Sequence, residues 1–188
     1  MSIGVRKTSL SVCLIVRNEE HNIDACLQSV AAIADEIILV DTGSSDATVA
    51  KASKHAKCKV FDFPWTNDFS EARNFALAKA SCDLILSIDA DERLTNPAML
   101  AKVLAEHRAD AGGYLIKLVS HTKNKLGGND TYTNKLLRLF VNRSDIRFQG
   151  VVHEQIIYSV NASGLKIYNT EIEIAHLGYD ISPDSLAN

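Results

Sequence analysis

Short apolar runs and helical patterns alternate along the first 110 residues of the chain. Four runs are short and mainly apolar, as in strands that are buried on both faces, and they cover residues 10–16, 36–40, 59–63 and 83–88. Between the runs, apolar residues recur every three or four positions in "HNIDACLQSVAAI", "ATVAKASKHA" and "FSEARNFALAKA", which predicts helices. The repeated order of strand and helix predicts an α/β fold with a mostly parallel sheet flanked by helices.

Two aspartates mark the expected starts of helices. Asp46 directly precedes "ATVAKASKHA", where its side chain can accept hydrogen bonds from the first turn. Asp68 precedes "FSEARNFALAKA", and Glu71 follows three residues later, as in a capping box. Both positions therefore predict an N-cap.

The pattern changes after residue 110, where β-branched and aromatic residues become frequent. Residues 112–119 and 134–141 look like strands. The segments "RFQGVVHEQIIYSV" and "IYNTEIEIAHLGYD" are also rich in Val, Ile and Tyr and read as further strands. We expect an antiparallel C-terminal extension of the sheet within a single domain, 1–188, made of a half spanning 1–110 and a half spanning 111–188.

Composition excludes several classes of protein. The chain of 188 residues has 46% hydrophobic and 23% charged residues, an ordinary globular balance, and its net charge of −3 argues against a nucleic-acid partner. No apolar run approaches the roughly 20 residues of a transmembrane helix. Peripheral association with the inner face of the cell membrane is compatible with this sequence. The four cysteines are scattered without a paired motif, which favours a reduced, cytoplasmic protein.

Polar clusters follow three of the four predicted strands. Residues 17–20 ("RNEE") follow the first strand, residues 41–44 ("DTGS") follow the second, and residues 89–91 ("DAD") follow the fourth. In open parallel sheets, ligands bind beyond the carboxyl ends of the strands. The three clusters therefore predict one binding site at this edge of the sheet.

The Asp-x-Asp sequence at residues 89–91 carries the clearest chemistry. Strand periodicity would direct Asp89 and Asp91 into the same cavity. Two adjacent carboxylates repel each other unless a cation neutralises them, and hard oxygen ligands suit Mg2+ or Mn2+, which bind phosphates at their open positions. The alternative is that Asp91 and Glu92 are solvated loop residues that cap the next element.

The order of motifs resembles the family 2 glycosyltransferases, which have the GT-A fold and use nucleotide-sugar donors. The matching stretches are "SLSVCLIVRNEEHNIDACLQSV", "DEIILVDTGSSDATVAKA" and "DFSEARNFALAKASCDLILSIDADE". Further on, "NKLLRLF", "RFQGVVHEQI" and "HLGY" resemble bacterial members that glycosylate lipopolysaccharide, other surface glycans or peptides. The resemblance covers residues 8–180 and implies a nucleotide-binding first half and an acceptor-binding, catalytic second half.

The resemblance implies a set of donor-binding residues. The segment from Val16 to residue 20, with Asn18 and Glu19, would wrap the base and ribose, and Asp41 would accept a hydrogen bond from the base. Arg73 would reach the base or the pyrophosphate, and Asp89 would contact the ribose or a metal ion. The complete implied set is Val16, Asn18, Glu19, Asp41, Arg73, Asp89 and Gly150.

The resemblance also implies how the reaction is catalysed. Asp91, with Asp89 and His176, would hold Mn2+ or Mg2+ against the diphosphate. Glu154 would act as the base that deprotonates the acceptor hydroxyl. A single base without a covalent intermediate predicts inversion at the anomeric carbon, as membership of the family also implies.

Each assignment has a structural alternative. Asp41 could cap the turn "DTGSSD", and Arg73 could form a surface ion pair with Glu71 or Asp68. Glu154 could be a solvated residue at a strand edge, and His176 could be a histidine satisfied within the core. The role of His153 is open, and Trp65 reads as a packing residue rather than a sugar platform.

The function expected from these residues is inverting, metal-dependent transfer of a sugar, most simply from a UDP-sugar, to a glycan, lipid-linked or peptide acceptor. A sugar nucleotidyltransferase would have a glycine-rich loop after the first strand, where this chain has "RNEEHN". A non-catalytic nucleotide-sugar-binding module is the second alternative. A dinucleotide-binding oxidoreductase is disfavoured because G-x-G-x-x-G is absent. The end of the chain, soon after "HLGY", suits a minimal member or a catalytic-core fragment.

Overall fold

Eight strands and five helices alternate along the described part of the chain. The computed structural model of the protein describes residues 8–123 and 129–177. The strands are β1 Leu10–Val16, β2 Glu36–Asp41, β3 Cys58–Asp62, β4 Leu84–Ser87, β5 Glu92–Leu94, β6 Ala111–Lys123, β7 Asn129–Val141 and β8 Lys166–His176. The helices are α1 Ile23–Ala31, α2 Thr48–Ala52, α3 Phe69–Lys79, α4 Pro97–Ala105 and α5 Ile157–Ala162.

All eight strands belong to one mixed sheet in the order β3-β2-β1-β4-β7-β6-β8-β5. Strands β3, β2, β1 and β4 run parallel to one another, as the first-half pattern predicted. β4 then pairs antiparallel with β7, and β7 pairs antiparallel with β6. The expected α/β class and the antiparallel extension are therefore confirmed, with one difference: β6 and β8 pair in parallel.

Two apolar cores lie on opposite faces of the sheet because alternate strand residues point in opposite directions. On β1, Leu14 belongs to the core that contains buried residues of α1 and α4, whereas Cys13 belongs to the core that contains residues of α3 and α5. Helices therefore cover both faces, as expected. None of the helices in the described ranges is long and apolar enough to cross a membrane.

The prediction of strand structure across "RFQGVVHEQIIYSV" was wrong. The segment contains a single bridge between Gln149 and Gln155, followed by helix α5. Ile156 and Val160 are buried four residues apart, on one face of a helix, and Ser159 hydrogen-bonds the backbone of Arg147. Burial against the sheet outweighs the β-propensity of these side chains.

The predicted cap at Asp68 is present, but the N-cap residue of α2 is Ala47, one residue after Asp46. Asp46 accepts a hydrogen bond from the Thr48 amide at 3.0 Å, although the helix ends at Ala52 and is shorter than its sequence pattern. Asp68 accepts from the amides of Ser70 and Glu71 at 2.8 and 3.2 Å. Asp68 therefore fixes the start of α3, the helix that carries Arg73.

Replacing Asp68 with Ala removes the acceptor for two amides at the start of α3. We expect the free energy of unfolding to fall by about 1 kcal/mol, whereas Asp68→Asn, which keeps an acceptor oxygen, should cost only a few tenths. Urea unfolding of both variants measures the difference. Equal losses in the two variants would show that the cap contributes through charge rather than through hydrogen bonding.

Candidate functional site

A cavity of about 500 Å3 opens at the carboxyl ends of β1, β2 and β4, where the polar clusters were expected to meet. Six of the predicted site residues line it: Val16, Glu19, Arg73, Asp89, Asp91 and His176. The remaining lining residues are Ile15, Arg17, Thr42, Trp65, Phe69 and Ala90. We call this space the donor cavity, after the donor-binding role that the resemblance implies.

Asp89 and Asp91 reach the donor cavity from a turn rather than from a continuing strand. β4 ends at Ser87, and the amide of Glu92 donates to the Asp89 carbonyl at 3.0 Å, which closes the turn before β5. The expectation that both side chains enter one cavity is met, but strand periodicity is not the cause. The turn gives the two carboxylates different partners.

Asp91 lies beside His176 at one end of the cavity. Its Oδ2 is 3.0 Å from Nε2 of His176, and Nδ1 of the same ring is 3.2 Å from the Ser120 hydroxyl. The antiparallel register of β5 and β8 pairs Glu92 with His176, which brings the end of β8 to the turn. A carboxylate oxygen and an imidazole nitrogen are ordinary ligands of a divalent cation.

Asp89 is held by two arginines. Its Oδ1 accepts from Nη2 of Arg73 at 2.9 Å, and its Oδ2 accepts from Nη2 of Arg138 at 3.0 Å. Burial raises the pKa of Asp89, but the two guanidinium groups outweigh burial and hold the pKa below its usual value. Both carboxylate oxygens of Asp89 therefore have arginine partners. Asp91 and His176 are the pair that could hold a metal ion.

Arg73 joins two cavities. The residue is only 9% exposed, its Nε donates to Oε1 of Glu154 at 2.5 Å, and its guanidinium carbon lies 5.5 Å from the centroid of the Phe148 ring. Burial lowers the pKa of Arg73, but the carboxylates of Asp89 and Glu154 raise it overall. The alternative of a surface pair with Glu71 or Asp68 is wrong, because Arg73 lies inside the protein.

Glu154 faces a smaller neighbouring cavity of about 80 Å3, which we call the second cavity. Its lining includes Arg73 and Arg138, so the two cavities share Arg73 as a wall. Gly150 lines neither cavity; its φ of +103° favours glycine in the turn that leads to Glu154. His153 is exposed, with a φ of +58°.

The loops after β1 and β2 contribute Arg17, Glu19 and Thr42 to the donor cavity, whereas Asn18 and Asp41 are not among its lining residues. Asn18, with φ +57°, accepts from the Ser45 amide at 2.8 Å and ties the two loops together. Asp41 is 6% exposed, and its Oδ2 accepts from the amides of Gly43 and Ser44, as the turn-cap alternative expected. Its Oδ1, however, is buried with no hydrogen-bond partner in residues 8–123 and 129–177.

Sequence reasoning missed two charged residues of the site. Glu92, read as a solvated loop residue, is only 2% exposed, and its Oε2 accepts from the Asp89 amide at 2.9 Å. Arg138 lies within "NKLLRLF", a motif that by itself predicts no role for it. A charged residue between Leu137 and Leu139 was the available signal, because an arginine inside a buried strand needs a carboxylate partner.

Trp65 forms part of an aromatic wall of the donor cavity. It packs against Phe69, as expected of a packing residue, and it is half-buried and also lines the cavity. Its ring contacts Phe69 edge-to-face at 4.7 Å, and its Nε1 donates to Asn67 at 3.0 Å. Asn67 has φ +63°, so a turn with left-handed backbone geometry presents this wall.

The sequence model of the family described as Glycosyl transferase family 2 matches residues 11–173, which include every wall of both cavities except His176. The chain belongs to glycosyl transferase family 2. The resemblance noted in the motifs is therefore confirmed, and the chain has a glycosyltransferase domain.

Relatives of this glycosyltransferase domain are longer. A TPR repeat-containing protein of Synechococcus elongatus is 38% identical over 185 residues, which cover 95% of this chain and 44% of that relative. The chain thus spans less than half of the length of that relative.

Solved structures with the same fold carry nucleotide sugars. S. aureus TarS 1-349 in complex with UDP-GlcNAc is 18% identical with a TM-score of 0.68, over 96% of this chain and 61% of that one. The mannosyltransferase PcManGT of Pyrobaculum calidifontis, in complex with GDP-Man and Mn2+, is 14% identical with a TM-score of 0.69, over 96% and 60%. The expected GT-A fold of the glycosyltransferase domain is confirmed.

The ion pairs of Asp89 make stability depend on pH in a defined direction. The folded-state pKa lies below the unfolded value of about 3.9, so the carboxylate stabilises the fold above that value and loses this contribution as pH falls below it. Between about pH 5 and pH 3, wild type should lose more free energy of unfolding than Asp89→Asn. Urea unfolding at both pH values tests this, and parallel losses would contradict it.

Proposed function

We propose that this glycosyltransferase moves a sugar from a UDP-sugar, with inversion, to a hydroxyl of a glycan, lipid-linked or peptide acceptor. The observation that carries the proposal is the polarity of the donor cavity. The Asp91–His176 pair lines it, and so does Thr42, which directly follows Asp41, the residue whose Oδ1 has no hydrogen-bond partner among the described residues. A nucleoside diphosphate offers matching groups, a cation-binding diphosphate and a hydrogen-bonding base.

The nucleobase of the donor would be recognised by Asp41. A buried carboxylate oxygen without a donor carries a desolvation cost that a ligand N–H would relieve. The ring N–H of uracil is such a donor, and Oδ1 of Asp41 would accept it. Asn18 would shape the pocket indirectly, because it holds the loops after β1 and β2 together.

The diphosphate would lie between Arg73 and the Asp91–His176 pair. A group of three or more metal-binding side chains is absent from the described parts of the chain, so substrate oxygens would complete the coordination of any ion held there. Mn2+ or Mg2+ bound in this way would offset the negative charge of the diphosphate. Complexes of fold relatives with UDP-GlcNAc and with GDP-Man and Mn2+ support this use of the fold.

The acceptor hydroxyl would be activated at the second cavity. Glu154 accepts the proton as the acceptor oxygen attacks the anomeric carbon from the face opposite the diphosphate. The bond from the anomeric carbon to the acceptor oxygen forms while the bond to the diphosphate oxygen breaks, so the products are an inverted glycoside and UDP. Arg73 places Glu154 beside the donor cavity.

Removal of the metal, or of Asp91, should abolish tight binding of UDP. We expect calorimetry to show binding in the presence of Mn2+ that weakens at least tenfold without it, because loss of a metal's supporting partner already costs about 10–100-fold. Asp91→Ala should bind weakly with or without Mn2+.

Two comparisons make this titration specific. Asp145→Ala removes an exposed carboxylate that pairs with Arg143 and should bind UDP as wild type does. A parallel titration with GDP tests the choice of base. If the affinity for UDP is high and depends neither on Mn2+ nor on Asp91, the proposed metal site is wrong. If the protein binds GDP more tightly than UDP, the proposed donor is wrong.

Glu154→Gln should retain the affinity for UDP but lose turnover. Loss of a general base lowers kcat by about 100-fold to 10,000-fold. Release of sugar from a UDP-sugar, with water as the acceptor, provides the assay. Glu106→Gln, an exposed change at the end of α4, is the matched control. Full activity of Glu154→Gln would mean that another group is the base.

A further inference from the structure

Five charged side chains of alternating sign form a hydrogen-bonded series that connects the two cavities. In order, the series is Glu92, Arg138, Asp89, Arg73 and Glu154, and we call it the charge chain. Arg138 Nη2 donates to Glu92 at 3.3 Å and to Asp89 at 3.0 Å. Arg73 donates to Asp89 at 2.9 Å and to Glu154 at 2.5 Å.

Arg138 occupies a position where the surrounding strand is apolar. Its neighbours Leu137 and Leu139 are buried, and Leu139 pairs with Leu86, the residue before Ser87 on β4. Placing a guanidinium group there is costly unless carboxylates compensate it. Within the described residues, that group hydrogen-bonds only Asp89 and Glu92.

Glu92 fixes Asp89 in two ways. One of its oxygens accepts from the Asp89 amide at 2.9 Å, and the other accepts from Arg138, which holds the Asp89 side chain. Both oxygens of Asp89 are then occupied by guanidinium groups. Because the members of such a network polarise and orient one another, a change at Arg138 reaches Arg73 through Asp89.

We propose that Arg138, held by Glu92, is a positioning residue that fixes Asp89 and, through Arg73, sets the place of Glu154. The proposal rests on the proposed function, in which Glu154 receives the proton of the acceptor. If Arg138 has this role, the geometry of the donor cavity and that of the second cavity depend on each other, because the charge chain joins them. Among the described residues, the hydrogen bonds of Arg138 go to Asp89 and Glu92 and not to Glu154.

A double-mutant cycle between Arg138 and Glu154 tests the proposal. Arg138→Met keeps much of the side-chain volume and should lower kcat for release of sugar from a UDP-sugar by about 10–100-fold, as loss of a supporting partner does. In the Glu154→Gln background the same substitution should change kcat by less than about twofold, because its effect is exerted through Glu154. Arg138→Lys, which keeps the charge, should recover part of the loss.

The possible outcomes separate the two proposals. If Glu154→Gln lowers kcat and Arg138→Met lowers it by the same factor in both backgrounds, Arg138 does not act through Glu154 and the inference is overturned. An Arg138→Met enzyme with wild-type kcat overturns it as well. If Glu154→Gln is fully active, the proposed base is wrong, and the inference falls with it.

Arg138→Met leaves Glu92 buried without a cation and could prevent folding. In that case a paired variant keeps the test valid. Glu92→Gln with Arg138→Gln removes both charges and keeps polar side chains at both positions, and the same cycle with Glu154→Gln applies to it. Arg143→Met, an exposed arginine paired with Asp145, is the control and should retain wild-type kcat. Near-ultraviolet circular dichroism compares the folded state of every variant.

Discussion

A guanidinium group enclosed between carboxylates organises the site. Arg73 would be too costly to bury alone, and Asp89 and Glu154 compensate its charge from opposite sides. The same contacts give each carboxylate a defined place, because a guanidinium fork fixes direction as well as distance. Since Arg73 extends from α3, the position of that helix on the sheet decides where the acid groups of both cavities lie.

Strand β4 is the junction that makes this arrangement possible. It pairs in parallel with β1 and antiparallel with β7, so the parallel part of the sheet continues directly into the antiparallel part formed by the second half of the chain. Its end carries Ser87 and leads to Asp89, while β7 brings Arg138 to the same place from a distant part of the sequence. The mixed sheet therefore brings residues from both halves of the chain to the donor cavity.

Backbone geometry and polarity concentrate around the two cavities. In the described residues, the non-glycine residues with positive φ are Asn18, Asn67 and His153. All three lie in the loops around the donor cavity and Glu154, and conformations of this kind persist where the surrounding structure and the function require them. The partnerless oxygen of Asp41 belongs to the same pattern, since a buried polar atom without a partner is rare in a stable fold.

The sequence alone determined the fold class, the cap of α3 and the edge of the sheet at which the site lies, because hydrophobic periodicity and capping are local properties. It also identified six of the twelve residues that line the donor cavity. Tertiary structure decided the partners: Asp89 contacts Arg73 and Arg138, and Glu92 is buried. The segment after Gly150 contains helix α5 because Ile156 and Val160 are buried against the sheet. Contacts between residues far apart in the chain set burial and charge pairing. No local sequence pattern encodes which distant residue will contact a given side chain.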